Sequence, residues 1–170
     1  SDDWQSAIAA AVLSGNPIGA PMLVADGGEL PDVTDETLRR LDPRGSDLSK
    51  DAQVIRIGRD VARPDGFKTA VIEGADAFQR AAAIDRFFSA ARGEPTRDVV
   101  LYSAEEPGFA MPAAAWAARS GTSTLPTERD AVPAPILRAT QGHDKPNVYI
   151  LGPGTAISEE VEKQLKKEKL

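Results

Sequence analysis

Short apolar runs alternate with longer stretches of helical periodicity along almost the whole chain. Each run is closed by glycine, proline or a polar turn, and its length fits a buried strand. On this basis we predict six strands, which are Pro21–Ala25, Gln53–Ile57, Lys68–Ile72, Asp98–Tyr102, Thr122–Leu125 and Asn147–Leu151.

The stretches between these runs repeat apolar residues every three or four positions, as one face of a helix requires. The predicted helices are Trp4–Leu13, Thr34–Leu41, Ala75–Ala91, Met111–Arg119, Pro133–Thr140 and Glu159–Lys167. Two of them are rich in Ala, the best helix former. Thr34 and Ser158 are expected to cap helix starts, and Gly121 is expected to end a helix.

This alternation of strands and helices predicts the α/β class. We expect a mainly parallel sheet with helices on both faces, in a Rossmann-like or flavodoxin-like arrangement. A length of 170 residues fits a single domain over residues 1–170. No apolar run approaches the roughly 18 residues of a membrane helix, so no transmembrane segment is expected.

Charge and composition exclude several classes of function. The chain has 20 Lys and Arg against 26 Asp and Glu, which gives a net charge of −6. Proteins that bind the nucleic-acid backbone usually have an excess of basic residues instead. There is no Cys, and His143 is the only His, so zinc–thiolate sites and His clusters are excluded. No dinucleotide or phosphate-loop glycine motif follows a strand, so neither a cofactor nor a metal is expected.

The order of elements predicts two related halves. An Ala-rich helix, a glycine stop, a strand, a helix and a further strand occur in both parts of the chain. The first repeat covers about residues 1–67 and is incomplete, because no strand precedes its first helix. The second repeat covers about residues 68–170. The missing strand leaves two explanations open, a shortened chain or an edge position filled by another chain.

Three stretches resemble a known family. Ile72–Ile84 resembles its strand, Gly-x-Asp turn and helix start, Val148–Ser158 its strand, turn and Ile-Ser cap, and Ala20–Val24 its Ala-Pro strand. In this order they resemble the type 2 cell-wall-binding repeat of Gram-positive surface proteins. The chain departs from that pattern at Ala77, Arg80 and Pro153, where the family usually has Arg, Thr and Gly.

The resemblance implies Rossmann-like repeats that anchor proteins noncovalently to anionic wall polymers. We therefore expect a noncatalytic module that is extracellular or wall-bound. Its partner would be an anionic cell-wall polymer or another surface protein, with a homo-oligomeric assembly piece as a further alternative. A different class stays open, namely a small-molecule-binding or enzymatic Rossmann-like domain that uses the cleft at the carboxyl ends of the strands.

Arginines and a glycine-rich turn are the candidate contacts to an anionic ligand. Arg matches the geometry of phosphate and carboxylate groups, and a turn before a helix presents free N–H groups. The candidate residues are Arg59, Arg63, Arg80, Gly152, Gly154, Thr155 and Ser158.

No catalytic residue is expected. The chain has no nucleophile elbow, and the adjacent Glu105 and Glu106 do not point the same way in a loop. His143 lies in a polar turn and is expected to be exposed and without a role. Trp4 and Trp116 are expected to fill space between helix and sheet.

Overall fold

The protein has alternating helices and strands, as its sequence pattern predicts. A computed structural model describes residues 3–170. The helices are α1 (Trp4–Ala10), α2 (Asp32–Leu41), α3 (Ala77–Arg92), α4 (Pro107–Ser120), α5 (Ala134–Gln141) and α6 (Glu159–Lys167). The strands are β1 (Val54–Ile57), β2 (Thr69–Ile72), β3 (Asp98–Ser103), β4 (Ser123–Thr127) and β5 (Asn147–Leu151). Two short 3-10 turns cover Ala11–Ser14 and Asp47–Ser49.

The strands form two parallel sheets. β1 and β2 pair with Val54 opposite Thr69 and Ile57 opposite Ile72. The second sheet has the order β4-β3-β5, with β3 in the centre. The α/β class with parallel pairing is thus confirmed, whereas the division into two sheets was not indicated by the sequence.

Helices cover both faces of the three-stranded sheet. Successive side chains of β3 point to opposite faces and therefore enter two different cores. Val99 and Leu101 belong to the larger core, together with Phe88 of α3. Val100 and Tyr102 belong to a smaller core with residues of α1 and α4. These four side chains of β3 and Phe88 are completely buried. The centre of the fold therefore lies at β3.

The two tryptophans pack against the smaller core, as predicted. Trp4 and Trp116 are both partly buried there, and the Trp116 ring lies 5.1 Å from that of Tyr149. The Tyr102 hydroxyl donates to the carbonyl oxygen of Gln5 at 2.6 Å. This bond attaches the beginning of α1 to the central strand.

The strand predicted at Pro21–Ala25 is absent, and that prediction is wrong. The segment has no regular secondary structure, and Val24 is 73% exposed. Thr34, predicted as a cap, lies inside α2, and its hydroxyl donates to the Val24 carbonyl oxygen at 2.8 Å. A strand needs a neighbour for its backbone groups, and a short apolar run does not reveal whether one exists.

Several helix boundaries differ slightly from the predicted ones. α4 begins at Pro107, so Pro112 lies inside the helix and not in its first turn. α3 begins two residues later than expected because the Asp76 side chain caps it, accepting from the Gln79 amide at 2.7 Å. Ser158 caps α6 as predicted, by accepting from the Glu160 amide. Within residues 3–170, no helix is both long enough and apolar enough to cross a membrane.

Candidate binding site

The parallel strands β3 and β4 have their carboxyl ends side by side, next to a cleft of about 400 Å³. The loop after β3 contributes Glu105 to this strand-end cleft, and the loop after β4 contributes residues 128–131. Gln5 of α1 closes one side, and its Nε2 donates to the Ala104 carbonyl oxygen at 2.9 Å. This is the position at which ligands bind in open parallel sheets.

Arg129 holds together the three loops around the strand-end cleft. Its backbone N–H donates to Oε1 of Glu105 at 3.3 Å, and its Nε donates to the Thr155 carbonyl oxygen at 3.1 Å. Its own carbonyl oxygen accepts from the Ser158 amide at 2.8 Å. Sequence reasoning missed Arg129, for which the only available signal was its place just after a strand.

The turn predicted to hold an anion uses several of its own donors. The amides of Ala156 and Ile157 both donate to the Pro153 carbonyl oxygen, at 2.9 and 3.0 Å. Gly154 and Thr155 are exposed, and within the described chain their amides have no acceptor. The turn thus offers two free amides in place of a full cradle.

The ends of this turn have structural roles. Gly152 has a φ of +138°, and a Cβ added there would lie 3.5 Å from the Cβ of Ala156 and 3.7 Å from that of Phe109. At the other end, the Ser158 amide donates to Arg129 while its hydroxyl caps α6. Both residues shape the turn, whatever it binds.

The strand-end cleft is acidic. Glu105, Glu128 and Asp130 contribute carboxylates to its lining, and Arg129 is the only cationic side chain among the lining residues. Nη1 of Arg129 also lies 3.3 Å from Oδ2 of Asp130, which neutralises part of its charge. Because like charges repel, this cleft suits a neutral or cationic molecule better than an anionic polymer.

The three predicted arginines occupy different places. Arg59 is exposed after β1 and pairs with Glu73, with Nη2 and Oε2 3.1 Å apart. Arg63 is exposed in the following loop and forms no ion pair within residues 3–170.

Arg80 is largely covered, and all three of its side-chain nitrogens have partners. Nε donates to Oγ of Ser6 at 3.1 Å, Nη1 donates to the Gly74 carbonyl oxygen at 2.9 Å, and Nη2 lies 2.7 Å from Oδ2 of Asp3. These contacts join the first turn of α3 to that of α1. Arg80 therefore has the geometry of a positioning residue.

A second and larger depression, which we call the α3–α5 groove, has a volume of about 800 Å³. Gln79, Arg86 and Ser89 of α3 line one wall, and Arg138 of α5 lines the other. Glu73, the partner of Arg59, lies at one end of this lining. Of the candidate contacts predicted from the sequence, only Arg59 lies near this groove, because those candidates were chosen at the ends of strands.

Beneath the groove lies a buried polar network. Oγ of Ser123 donates to Oδ1 of Asp85, and Nε2 of His143 lies 3.2 Å from the same carboxylate oxygen. Nδ1 of His143 lies 2.7 Å from the Thr96 carbonyl oxygen. Because a carbonyl only accepts, Nδ1 carries a proton and donates it to Thr96, which leaves Nε2 facing the Asp85 carboxyl group.

His143 is only 4% exposed, so the prediction that it is an exposed turn residue is wrong. Burial lowers its pKa, but the hydrogen bond and charge of Asp85, with the Thr96 carbonyl, outweigh burial, so the pKa of His143 is raised above its ordinary 6.5. Ser123 bonds to Asp85 and not to the imidazole, and its side chain is only 1% exposed, so its hydroxyl is not presented to a substrate. The network holds α3, β4 and the loop after α5 together.

Among residues 3–170, no three His, Asp or Glu side chains converge as metal ligands would.

A family model described as cell wall binding domain 2 matches residues 71–162, which is more than half of the chain. That range includes the motifs at 72–84 and 148–158 but not Ala20–Val24. No curated protein and no solved structure matches the chain.

Proposed function

The chain belongs to the cell wall binding domain 2 family, and from this premise we propose that it is a noncatalytic module that attaches to an anionic polymer of the cell wall. The observation that carries the proposal is the family match over residues 71–162, which contains the whole three-stranded sheet. The module would act outside the cell, where such polymers lie.

The chemistry of the clefts supports attachment over turnover. Hydrolytic or transfer chemistry needs a nucleophile beside its base, or an acid and a base around one reacting atom. Ser123 is 1% exposed and bonded to a carboxylate, and Glu105 bonds to the Arg129 amide. These groups stabilise the fold and are not arranged around a substrate.

Among the predicted contacts, Arg59 and Arg63 remain in the proposal because both guanidinium groups are exposed. Arg80 enters as a positioning residue for the start of α3. The net charge of −6 requires that attraction come from a local cationic surface, since a polyanion is repelled by the chain as a whole.

Sedimentation with purified cell walls tests the proposal. Wild-type protein should sediment with intact walls, should stay in solution when the anionic polymers have been extracted, and should be released as salt rises. The matched control replaces Lys166 and Lys167, on the exposed end of α6, with Gln and should bind like the wild type. The double variant with Arg59→Gln and Arg63→Gln should bind more weakly. Equal binding to extracted walls would contradict an anionic ligand.

The strand-end cleft supports a second candidate, binding of a small neutral or cationic molecule. Its volume and its position at the ends of β3 and β4 favour this alternative. Thermal-shift measurements with sugars, nucleotides and amines distinguish the two, because a ligand that binds the folded state raises Tm by mass action. Binding through this cleft should be weakened by Gly154→Pro, which alters the adjacent turn.

We propose that the chain is one domain built from two related repeats, about 1–67 and 68–170. The two Ala-rich helices that would correspond end in contact, since a Cβ added to Gly15 would lie 3.3 Å from the Cα of Gly121. A single cooperative thermal transition is expected for one domain. Two separate transitions would contradict it.

Self-association is a further part of the proposal. Met22, Leu23 and Val24 expose 48%, 40% and 73% of their surfaces in one short segment. Such a cluster favours association of copies of the chain. Light scattering should show an oligomer that dissociates on Val24→Lys, whereas Tyr149→Lys serves as a control at another exposed apolar position. A monomer at every concentration would remove this part.

A further inference from the structure

The strand-end cleft and the α3–α5 groove differ in the sign of their unpaired charge. In the α3–α5 groove both acids are matched, since Glu73 pairs with Arg59 and Asp85 with His143. Arg86 and Arg138 are exposed and belong to no ion pair within residues 3–170. The charge left over in the groove is therefore positive, whereas the strand-end cleft is left negative.

The geometry points to the α3–α5 groove as the site that binds an anionic group of the polymer, with Arg86 and Arg138 contacting it from opposite walls. This inference rests on the proposed function and names its site. The guanidinium fork recognises phosphate and carboxylate oxygens in a bidentate manner. Two forks on different helices, lining one depression, suit a single anionic group held between them.

The shape of the groove fits an extended chain better than a compact ligand. Gln79 and Ser89 both line it from α3, and ten residues of helix span about 15 Å. Ala82 of α3 and Ala139 of α5 contribute only methyl groups to the lining. A polymer lying along α3 would thus reach both the arginines and the polar end at Gln79.

One hydroxyl in the lining has an unmet hydrogen bond. Oγ of Ser89 is buried and has no partner within the described chain. A buried hydroxyl without a partner is destabilising unless a ligand or water satisfies it. Ser89 lies one helical turn from Arg86, so a group held by that arginine is close enough to accept this bond after a rotamer change.

The floor of the groove is rigid. His143 and Asp85 are both buried in it, and bonds to Thr96 and Ser123 fix their orientation. The two arginines therefore lie on helices whose spacing is fixed before a ligand binds. Preorganisation of this kind lowers the entropic cost of binding.

The test compares a double variant, Arg86→Gln with Arg138→Gln, with the matched control Arg92→Gln with Arg119→Gln. Both pairs are exposed, form no ion pairs in the described part of the chain and change the net charge equally, but the control residues do not line the groove. The soluble probes are poly(glycerol phosphate) and poly-γ-glutamate, which present phosphate and carboxylate respectively, and purified walls are used in parallel. Thermal unfolding checks that each variant is folded.

We expect the groove variant to raise the Kd for at least one probe roughly tenfold and the control to change it less than about threefold. The probe affected identifies the anionic group. If walls bind the groove variant, the control and the wild type equally, the groove assignment is overturned while the proposed function stands. If the wild type binds neither walls nor probes, the proposed function fails as well. An equal loss in both variants would mean diffuse attraction and would also overturn the assignment.

Discussion

The buried pair of His143 and Asp85 predicts how stability depends on pH. The chain contains one His, so the imidazole titration belongs to a single known site. Its pKa is raised above 6.5 in the folded chain, hence the folded state holds this proton more tightly than the unfolded state. The stabilisation is fully present below pH 6.5 and is lost as pH rises through the folded-state pKa.

The magnitude of the effect follows from linkage and from burial. In the window above pH 6.5, the free energy of unfolding should fall with a slope approaching 1.4 kcal/mol per pH unit, roughly the limit for one proton. His143→Gln removes the imidazole partner of Asp85 in a buried site and leaves that side chain the Ser123 bond and the amide of the new Gln. Loss of one member of a buried pair costs about 3 kcal/mol at the lower end.

Urea unfolding of the wild type and His143→Gln, repeated between pH 5.5 and pH 9, provides the assay. At pH 6 the variant should be less stable by about 3 kcal/mol, and the difference should shrink as pH rises. Other titrating groups cancel in this difference. Asp85→Asn removes the hydrogen bond and the charge of Asp85 that raise the pKa of His143 and leaves only the Thr96 carbonyl against burial, so the fall in stability above pH 6.5 should become shallower. A constant difference between wild type and His143→Gln across this range would refute a charged imidazole.

Three further predictions concern side-chain packing and the contacts of Arg80, and each is measured by thermal or urea unfolding. Phe88→Ala should lower the free energy of unfolding by about 3–5 kcal/mol, because this completely buried ring sits in the larger core; a loss below ~1 kcal/mol would contradict that position. Gly121→Ala should cost about 1–3 kcal/mol, since Gly121 has a φ of +67° and an added Cβ would lie 3.2 Å from Cζ of Phe88; an unchanged Tm would be inconsistent with this geometry. Arg80→Met should cost about 2 kcal/mol through its lost hydrogen bonds. By contrast, Lys163→Gln removes only an exposed pair with Glu160 and should leave the Tm almost unchanged; equal effects of Arg80→Met and Lys163→Gln would contradict the role of Arg80 in joining α1 to α3.

Local sequence patterns were sufficient for most of the secondary structure. β5 and α6 have the predicted bounds because a run of five apolar-rich residues closed by Gly152, and a serine before an acidic first turn, are signals contained within a few residues. The α/β class followed from the alternation of such elements. The family resemblance likewise rested on contiguous motifs.

The sequence could not reveal which groups meet across the fold. Whether Pro21–Ala25 becomes a strand depends on a neighbouring strand and not on its own apolar residues. The charge of each depression depends on which side chains pair, as Arg59 does with Glu73, 14 positions away. In the sequence, Arg86 and Arg138 are indistinguishable from other arginines on helix surfaces. The packing of α3 beside α5 brings them into the lining of one groove.

His143 shows the same division most clearly. Its neighbours in sequence are polar turn residues, which made exposure the natural expectation. Its partners in space are Asp85 and Thr96, 58 and 47 positions away, and they supply the hydrogen bonds that make burial of a cation tolerable. Most of the elements and the family followed from the sequence, because those depend on residues that are neighbours in the chain. The burial of each side chain, its ion pairs, and the sign of the net charge in the strand-end cleft and the α3–α5 groove required the tertiary structure. Electrostatic and packing energies depend on distances that the order of residues in the chain does not contain.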